Sequence, residues 1–473
     1  MHIKIGLLGI GLETYWPQFD GLLEKLTGYQ QQIADRISKP DVEVVNAGMV
    51  DSPQKAMQAA EMLQAASPEI IFVYISTYAL SSTVLPVVRN TTAHIVLLNL
   101  QPVAQLDYAA FNALQDRGTM TGIWLEHCQA CSVPEIASVL NRAGIDYDIV
   151  TGHMQDDTAW TAIHAWVAAA KVRKSLRYNR MGVLGHYYGG MLDVYADLTR
   201  HSAVFGTHFE MLEMCELKKI RDAVTPSAIK AKMDVFQEAF DVDPDCSVAE
   251  LQRAAQTSVA LDNLAFAHQL GSLAYYYEGE QGNEYQHIVT SVIAGNTLLT
   301  GNGIPVAGEC EIKNAHAMKI MAALGAGGSF SEFYLIDFQD EVVYLGHDGP
   351  AHFAIAEGRV KLVPLPVYHG KPGKGLSIQM TVKHGPATLL SVAEGKDGIF
   401  LLVAEGESVP GPVLQIGNTN SRYKFPLPVK DFINQWSVQG PSHHCAIGTG
   451  HVADAISKLG RLLKIPVVTI TGS

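Results

Sequence analysis

No stretch of this chain reaches the apolar length of a membrane span; a run such as EIIFVYIST is the size of a strand. No basic segment, long apolar core and small-residue cleavage site open it, so MHIKIGLLGIG reads as a buried strand and the expectation is a soluble cytoplasmic protein. Cysteine is scarce. Six in 473 residues (Cys128, Cys131, Cys215, Cys246, Cys310, Cys445) do not make a disulfide framework. Cys128 and Cys131 form a C-x-x-C with no second such pair to complete a structural zinc site, and they read as two buried thiols. Charge is sparse too, at 17% against 48% hydrophobic residues, and the formal net charge is −13. An acidic chain without a basic stripe excludes a partner held by its phosphate backbone. The apolar content excludes a disordered protein.

A complete dinucleotide fingerprint is also missing. G-I-G at 9–11 and G-H-Y-Y-G-G at 185–190 each follow a strand, but neither fits G-x-G-x-x-G, since Thr14 takes the last position of the first. Both read as tight turns between strand and helix.

The length requires more than one core. Residues 1–176 alternate strands (IKIGLLGIG, VEVVNAGMV, EIIFVYIST, HIVLLNL) with helices at 3.6-residue spacing. Ser52 caps a helix over 53–66 with Pro53 at its first position, and another helix covers 157–173. Uninterrupted apolar strands suit a parallel sheet covered on both faces, a doubly wound domain. A second α/β domain, 177–305, starts at RMGVLGHYYGG. The box formed by Ser247 and Glu250 opens a long helix there, and an apolar helix covers 285–299. Residues 306–473 change character. VKLVPLPV, LSIQMTV, ATLLSVAE, IFLLVAE and VLQIGN, parted by HGKPGKG, KHGP, GKDG and SVPGP, predict a β-rich, barrel-like domain.

That last third places polar residues in apolar or glycine-rich surroundings: Glu309 in GECEIK, Glu332 in SFSEFYLIDF, His347 and His352 in YLGHDGPAHF, and His443 and His444 in GPSHHCAIG. Taken alone, Glu309 and Glu311 read as solvated acids suiting a helix dipole. Glu332 between two phenylalanines needs a partner or an edge. Neighbouring strand residues point to opposite faces, so one of His443 and His444 is expected to enter a site. Together, two carboxylates and two imidazoles make a hard O/N ligand set suited to Mn²⁺ or another divalent cation.

With these motifs the chain resembles the L-arabinose isomerase family, within the wider L-arabinose/L-fucose isomerase fold group. GECEIKNA is similar to the family's E-G-D-W-K-T-A, SFSEFYLIDF to S-F-M-E-D-Y, LGHDGP to its LGSH-type segment, PSHHC to H-H-T, and TGHMQDD to T-G-H-W-Q-D. The resemblance implies catalytic glutamates at Glu309 and Glu332, and a metal held by Glu309, Glu332, His347 and His444. It further implies two Rossmann-like domains before a β-rich one, and a homo-oligomer with sites near subunit interfaces. Where the family reads sugar with G-S-Q-H-L-Y-G this chain has GLETYWP, and Cys131 falls on the histidine of Q-T-A-H-G-G. The sugar-reading shell is therefore expected to differ, with Glu13, Cys131 and Arg422 as candidate substrate contacts. Lys313 and His384 are secondary candidates, and His153 is expected to be structural or at a subunit contact.

The expected reaction is metal-dependent aldose–ketose isomerisation through an enediolate, with the two glutamates exchanging protons. A metal-dependent epimerase or aldolase acting on a sugar, and a sugar-binding protein without chemistry, remain open.

Overall fold

The computed structural model of the protein describes residues 2–278, 282–366 and 374–472. The chain forms two compact units, Met1–Lys174 and Ser175–Ser473. In the first, β1 (Ile3–Ile10), β2 (Val42–Val50), β3 (Ile70–Ile75), β4 (His94–Gln101) and β5 (Tyr147–His153) make a parallel sheet of order β2-β1-β3-β4-β5. All six side chains of β3 are buried, as a strand with both faces covered must be. The Ser52 hydroxyl accepts the Lys55 N–H, so Pro53–Ala66 begins with the expected cap.

The second unit opens with β6 (Arg180–Gly185) and β7 (His208–Leu212). With β9 (Ser272–Tyr276) and β10 (Val306–Ala307) they make a parallel sheet of order β10-β9-β6-β7. Ser247 caps Val248–Ala267 as its box predicts. The short β8 (Asp241–Val242) joins β13 (Lys361–Leu365) and β14 (Gly375–Gln379) in a small sheet. The remaining strands are β11 (Gly327–Asp337), β12 (Val342–His347), β15 (Gly385–Gly395), β16 (Gly398–Val409), β17 (Thr419–Lys424), β18 (His444–Thr449) and β19 (Val467–Ile470). Six of them close on themselves in the order β15-β18-β11-β12-β17-β16 through antiparallel pairings, with β19 added parallel to β16. The chain is thus α/β with two parallel sheets and a closed antiparallel barrel. Closure leaves no free edge to the ring.

Two expected elements differ. The apolar stretch over 285–299 is two helices, Gln286–Val289 and Ile293–Gly301, because Thr290 and Ser291 hydroxyls bond back to carbonyls at the break. VLQIGN is not a strand; β17 begins immediately after it and carries Arg422. The Leu414 backbone bonds instead with the Asn420 side-chain amide, and Ile416 is exposed. Most of HGKPGKG, residues 369–373, lies outside the described residues.

Candidate active site

Strand register assembles the site. Glu332 on β11 pairs with His444 at the start of β18 on one side and with Gly346 of β12 on the other, one residue before His347. Directly opposed residues share a face, so this register places a carboxylate beside an imidazole. Gly346 has to be glycine: a Cβ there would lie 2.2 Å from the Thr419 carbonyl oxygen of β17.

Glu309 arrives from the parallel sheet. It follows β10 in a single 3-10 turn, Gly308–Cys310, with φ of +54° at Glu309 and +59° at Cys310. Two successive non-glycine residues in the left-handed region carry strain of a kind that concentrates at functional sites. The turn aims the Glu309 carboxylate at both histidines of the HH pair, its Oε2 lying 3.6 Å from His444 Nε2 and 3.7 Å from His443 Nε2. The imidazoles of His347 and His444 both pack against the buried Phe330 ring, at 4.5 and 4.3 Å between centroids.

Ligand-capable atoms of Glu309, His347 and His444 all lie within 4.8 Å of one another, and so do those of Glu332, His443 and His444. His444 belongs to both groups. The Glu309 Oε2 and His444 Nε2 atoms are buried without a hydrogen-bond partner among the described residues. Buried polar atoms are otherwise almost always satisfied. Such a pair, in a set of two carboxylates and two imidazoles, fits a divalent cation.

Charge follows burial. Burial raises the Glu309 carboxyl to about 7, with the Glu332, Glu311 and Asp193 charges adding to it against His443. His444 is pushed well below the ordinary histidine range by burial, so it is a neutral imidazole, the form that ligates. His443 goes the other way: burial opposes its charge, but the Asp193 hydrogen bond and neighbouring acids outweigh it.

Residues 308–311 also correct the expectation for Glu311. It is 1% exposed, not solvated. As the residue before helix Ile312–Ala323 it turns inward, where the His444 Nδ1–H donates to its Oε2 at 2.6 Å. That bond leaves Nε2 as the nitrogen bearing a lone pair, facing Glu309. The expectation that one of the two histidines would enter also needs amending. His443 lies just before β18, so strand alternation does not apply to it, and its Nδ1 and backbone N–H both meet Asp193 Oδ2, at 2.6 and 3.0 Å. Asp193 is in turn fixed at its carbonyl by Ser442 and Lys313. Nothing in LDV suggested that residue from sequence; an acid in a short 3-10 helix has no signature.

A cavity of about 300 Å³ opens beside these groups, lined by Glu309, Glu332, His347, Asp348 and His443 on its polar side. Tyr188, Tyr276, Val292, Ile293 and Leu365 are among its apolar walls. Tyr188 reaches it because Gly185 ends β6 at φ +97°, where a Cβ would collide with the Tyr276 carbonyl. The second glycine motif is therefore a close-approach turn, and the Tyr188 and Tyr276 rings it brings together sit 4.8 Å apart.

The other candidates are placed as follows. The Arg422 guanidinium, buried in β17, is paired with Asp340 and with the Tyr344 hydroxyl (3.2 Å). Along β12 its register partner is Tyr344, three residues from His347. Lys313 is buried and His384 exposed. His153 ends β5 and accepts the Gln155 N–H. Glu13 is exposed in a 3-10 turn after β1, and Cys131 is exposed where a buried thiol was expected; both belong to the first unit.

No family model matches the chain. Among curated proteins, a sulfoquinovose isomerase from Alkalicoccus urumqiensis is 23% identical over 335 residues, 70% of this chain and 74% of that protein. An L-arabinose isomerase from Klebsiella pneumoniae is 22% identical over 336 residues, 68% of this chain and 67% of that protein. One from Nocardioides sp. is 23% identical over 350 residues, 71% and 68% of the two. These relatives each span some two thirds or more of both chains. The chain is a divergent, L-arabinose isomerase-like protein.

Proposed function

We propose that the protein is an aldose–ketose sugar isomerase that needs a divalent cation, Mn²⁺ or one like it, and works through an enediolate. One observation carries the reading: His444 belongs to both groups of candidate ligands within 4.8 Å of one another, Glu309 with His347 and Glu332 with His443. Both carboxylates also line one cavity, which supports a single centre. Glu309, Glu332, His347 and His444 would hold the cation. A divalent ion there supplies Lewis acidity toward adjacent sugar oxygens.

The chain's own groups do the rest. Moving a hydrogen between two carbons of a sugar needs a base on carbon and an acid on oxygen. A carboxyl with its affinity for protons raised to about 7, as at Glu309, holds or releases one near neutrality. Glu332 is the complementary carboxylate. His443, fixed by Asp193 and exposed to the cavity, is placed to donate to a sugar hydroxyl. The apolar walls exclude water from the carbon being deprotonated.

The preferred sugar is proposed to differ from L-arabinose, because GLETYWP and Cys131 replace the residues with which that family reads it. The enzyme is further proposed to act as a homo-oligomer, which scattering or sedimentation on the purified protein tests directly.

Glu309→Gln and Glu332→Gln variants test the core reading. Each is expected to lose about 10²–10⁴-fold in ketose formation, measured with a sugar panel, Mn²⁺ and product analysis for ketose, epimer and cleavage. Wild-type turnover in either variant removes that glutamate from the chemistry. Epimer or cleavage products without ketose replace the isomerase with the corresponding enzyme.

A further inference from the structure

The first unit carries a cysteine pair. Helix Arg117–Glu126 ends, two residues intervene, and helix Gln129–Ala143 begins with Cys128 as its cap and Cys131 in its first turn. The two sulfurs lie 2.6 Å apart, well inside the contact distance of non-bonded sulfur atoms. Cys128 is buried and Cys131 is exposed.

The backbone around the pair is held in place. The buried Gln129 side chain donates to the carbonyls of Ser76 and Glu126, at 2.9 and 2.7 Å. The Ser132 hydroxyl accepts the Ala79 N–H at 2.8 Å. These bonds tie the C-x-x-C to the segment that leaves the carboxyl end of β3. The Tyr15 phenol is close enough to interact with both sulfurs and with the Tyr78 phenol.

We propose that Cys128 and Cys131 are a reversible dithiol/disulfide site, oxidised by low-molecular-weight disulfides of the glutathione class. The Cys131 thiolate attacks one sulfur of the small disulfide. That S–S bond breaks, one thiol leaves, and a mixed disulfide stands on Cys131. The Cys128 sulfur then attacks Cys131 Sγ, closing the internal bond and releasing the second thiol. Two protein thiols are oxidised, one small disulfide is reduced to two thiols, and the two protons leave with them. Burial, and then the neighbouring sulfur, raises the Cys128 thiol above its ordinary range, so the exposed partner meets the oxidant first.

The test uses the full chain, equilibrated in reduced and oxidised glutathione mixtures, quenched, alkylated and read by intact mass and peptide mapping. As the oxidised fraction rises, alkylatable thiols should fall from six to four per chain. A Cys128–Cys131 cross-link should appear and reverse with excess reduced glutathione. In Cys128→Ser the mixed disulfide should accumulate on Cys131, whereas Cys131→Ser should leave Cys128 without an adduct. The proposal is overturned if both thiols stay alkylatable at every ratio, if either pairs instead with the exposed Cys215, or if the two variants behave the other way round. The wild-type titration decides the matter even where a variant does not fold.

Discussion

Glu311 shows how much one carboxylate's surroundings decide. In sequence it is an acid ahead of a helix, the commonest of surface features. In the folded chain burial raises its carboxyl to about 7, and it takes the Nδ1–H of His444. On the metal reading it is a positioning residue for that histidine. Glu311→Ala should weaken cation affinity about 10–100-fold, and Glu311→Gln, whose amide oxygen can still accept, should weaken it less. Isothermal titration of Mn²⁺ into metal-free protein measures this independently of turnover; equal affinities across wild type and both variants would mean Glu311 does not orient the ligand. Glu309, by contrast, was legible through its motif, though its left-handed backbone was not. No propensity predicts φ of +54° for a glutamate.

At the level of elements, the site depends on β11, β12, β17 and β18 keeping their register. A one-residue slip would turn Glu332 away from His444. Gly346 is the tightest point of that arrangement, since an added methyl would press on the β17 backbone rather than on a movable side chain. Gly346→Ala is expected to destabilise the protein by roughly 1–3 kcal/mol and to lower cation binding as well, read by urea unfolding and by metal content after dialysis. Unchanged values for both would show that the two strands can part without moving His347. Apolar patterning made β13, β14, β15 and β16 visible beforehand, whereas β11, β12 and β17 were not among the expected strands. It failed at VLQIGN, where an apolar run meets no pairing partner. It also failed over 285–299, where buried hydroxyls interrupt a helix that hydrophobicity alone makes continuous.

For the whole molecule, acid stability depends on buried imidazoles away from the site. His201 and His316 stack at 5.1 Å between centroids, beside Phe205 and Phe209. Burial lowers His201 to about 4, with Lys313 and Arg200 adding to it against Asp197; Glu394 lies 3.7 Å away without reversing the direction. Burial and His201 also hold His316 well below its ordinary range. Both are neutral when folded, while the unfolded chain takes up their protons near 6.5. The unfolded state therefore binds more protons below that pH. Stability present above about 6.5 is lost as pH falls toward about 4, for His201 on the order of 3 kcal/mol. Urea midpoints recorded down that range should fall less steeply in His201→Asn than in wild type; parallel slopes would contradict a neutral buried His201.

Local pattern by itself determined the parallel sheets, the capped helices, the β-rich final third and the four segments bearing Glu309, Glu332, His347 and His444. It could do so because apolar periodicity, capping residues and short motifs act within one or two turns of chain. Only the tertiary structure decided that Glu311 is buried, that Asp193 holds His443, that Arg422 is committed to Asp340, and that Cys131 faces solvent while Cys128 does not. Each of those depends on partners far away in sequence. Glu311 meets His444 across 133 positions and His443 meets Asp193 across 250, separations that no local preference encodes and that only the closed barrel and its packing impose.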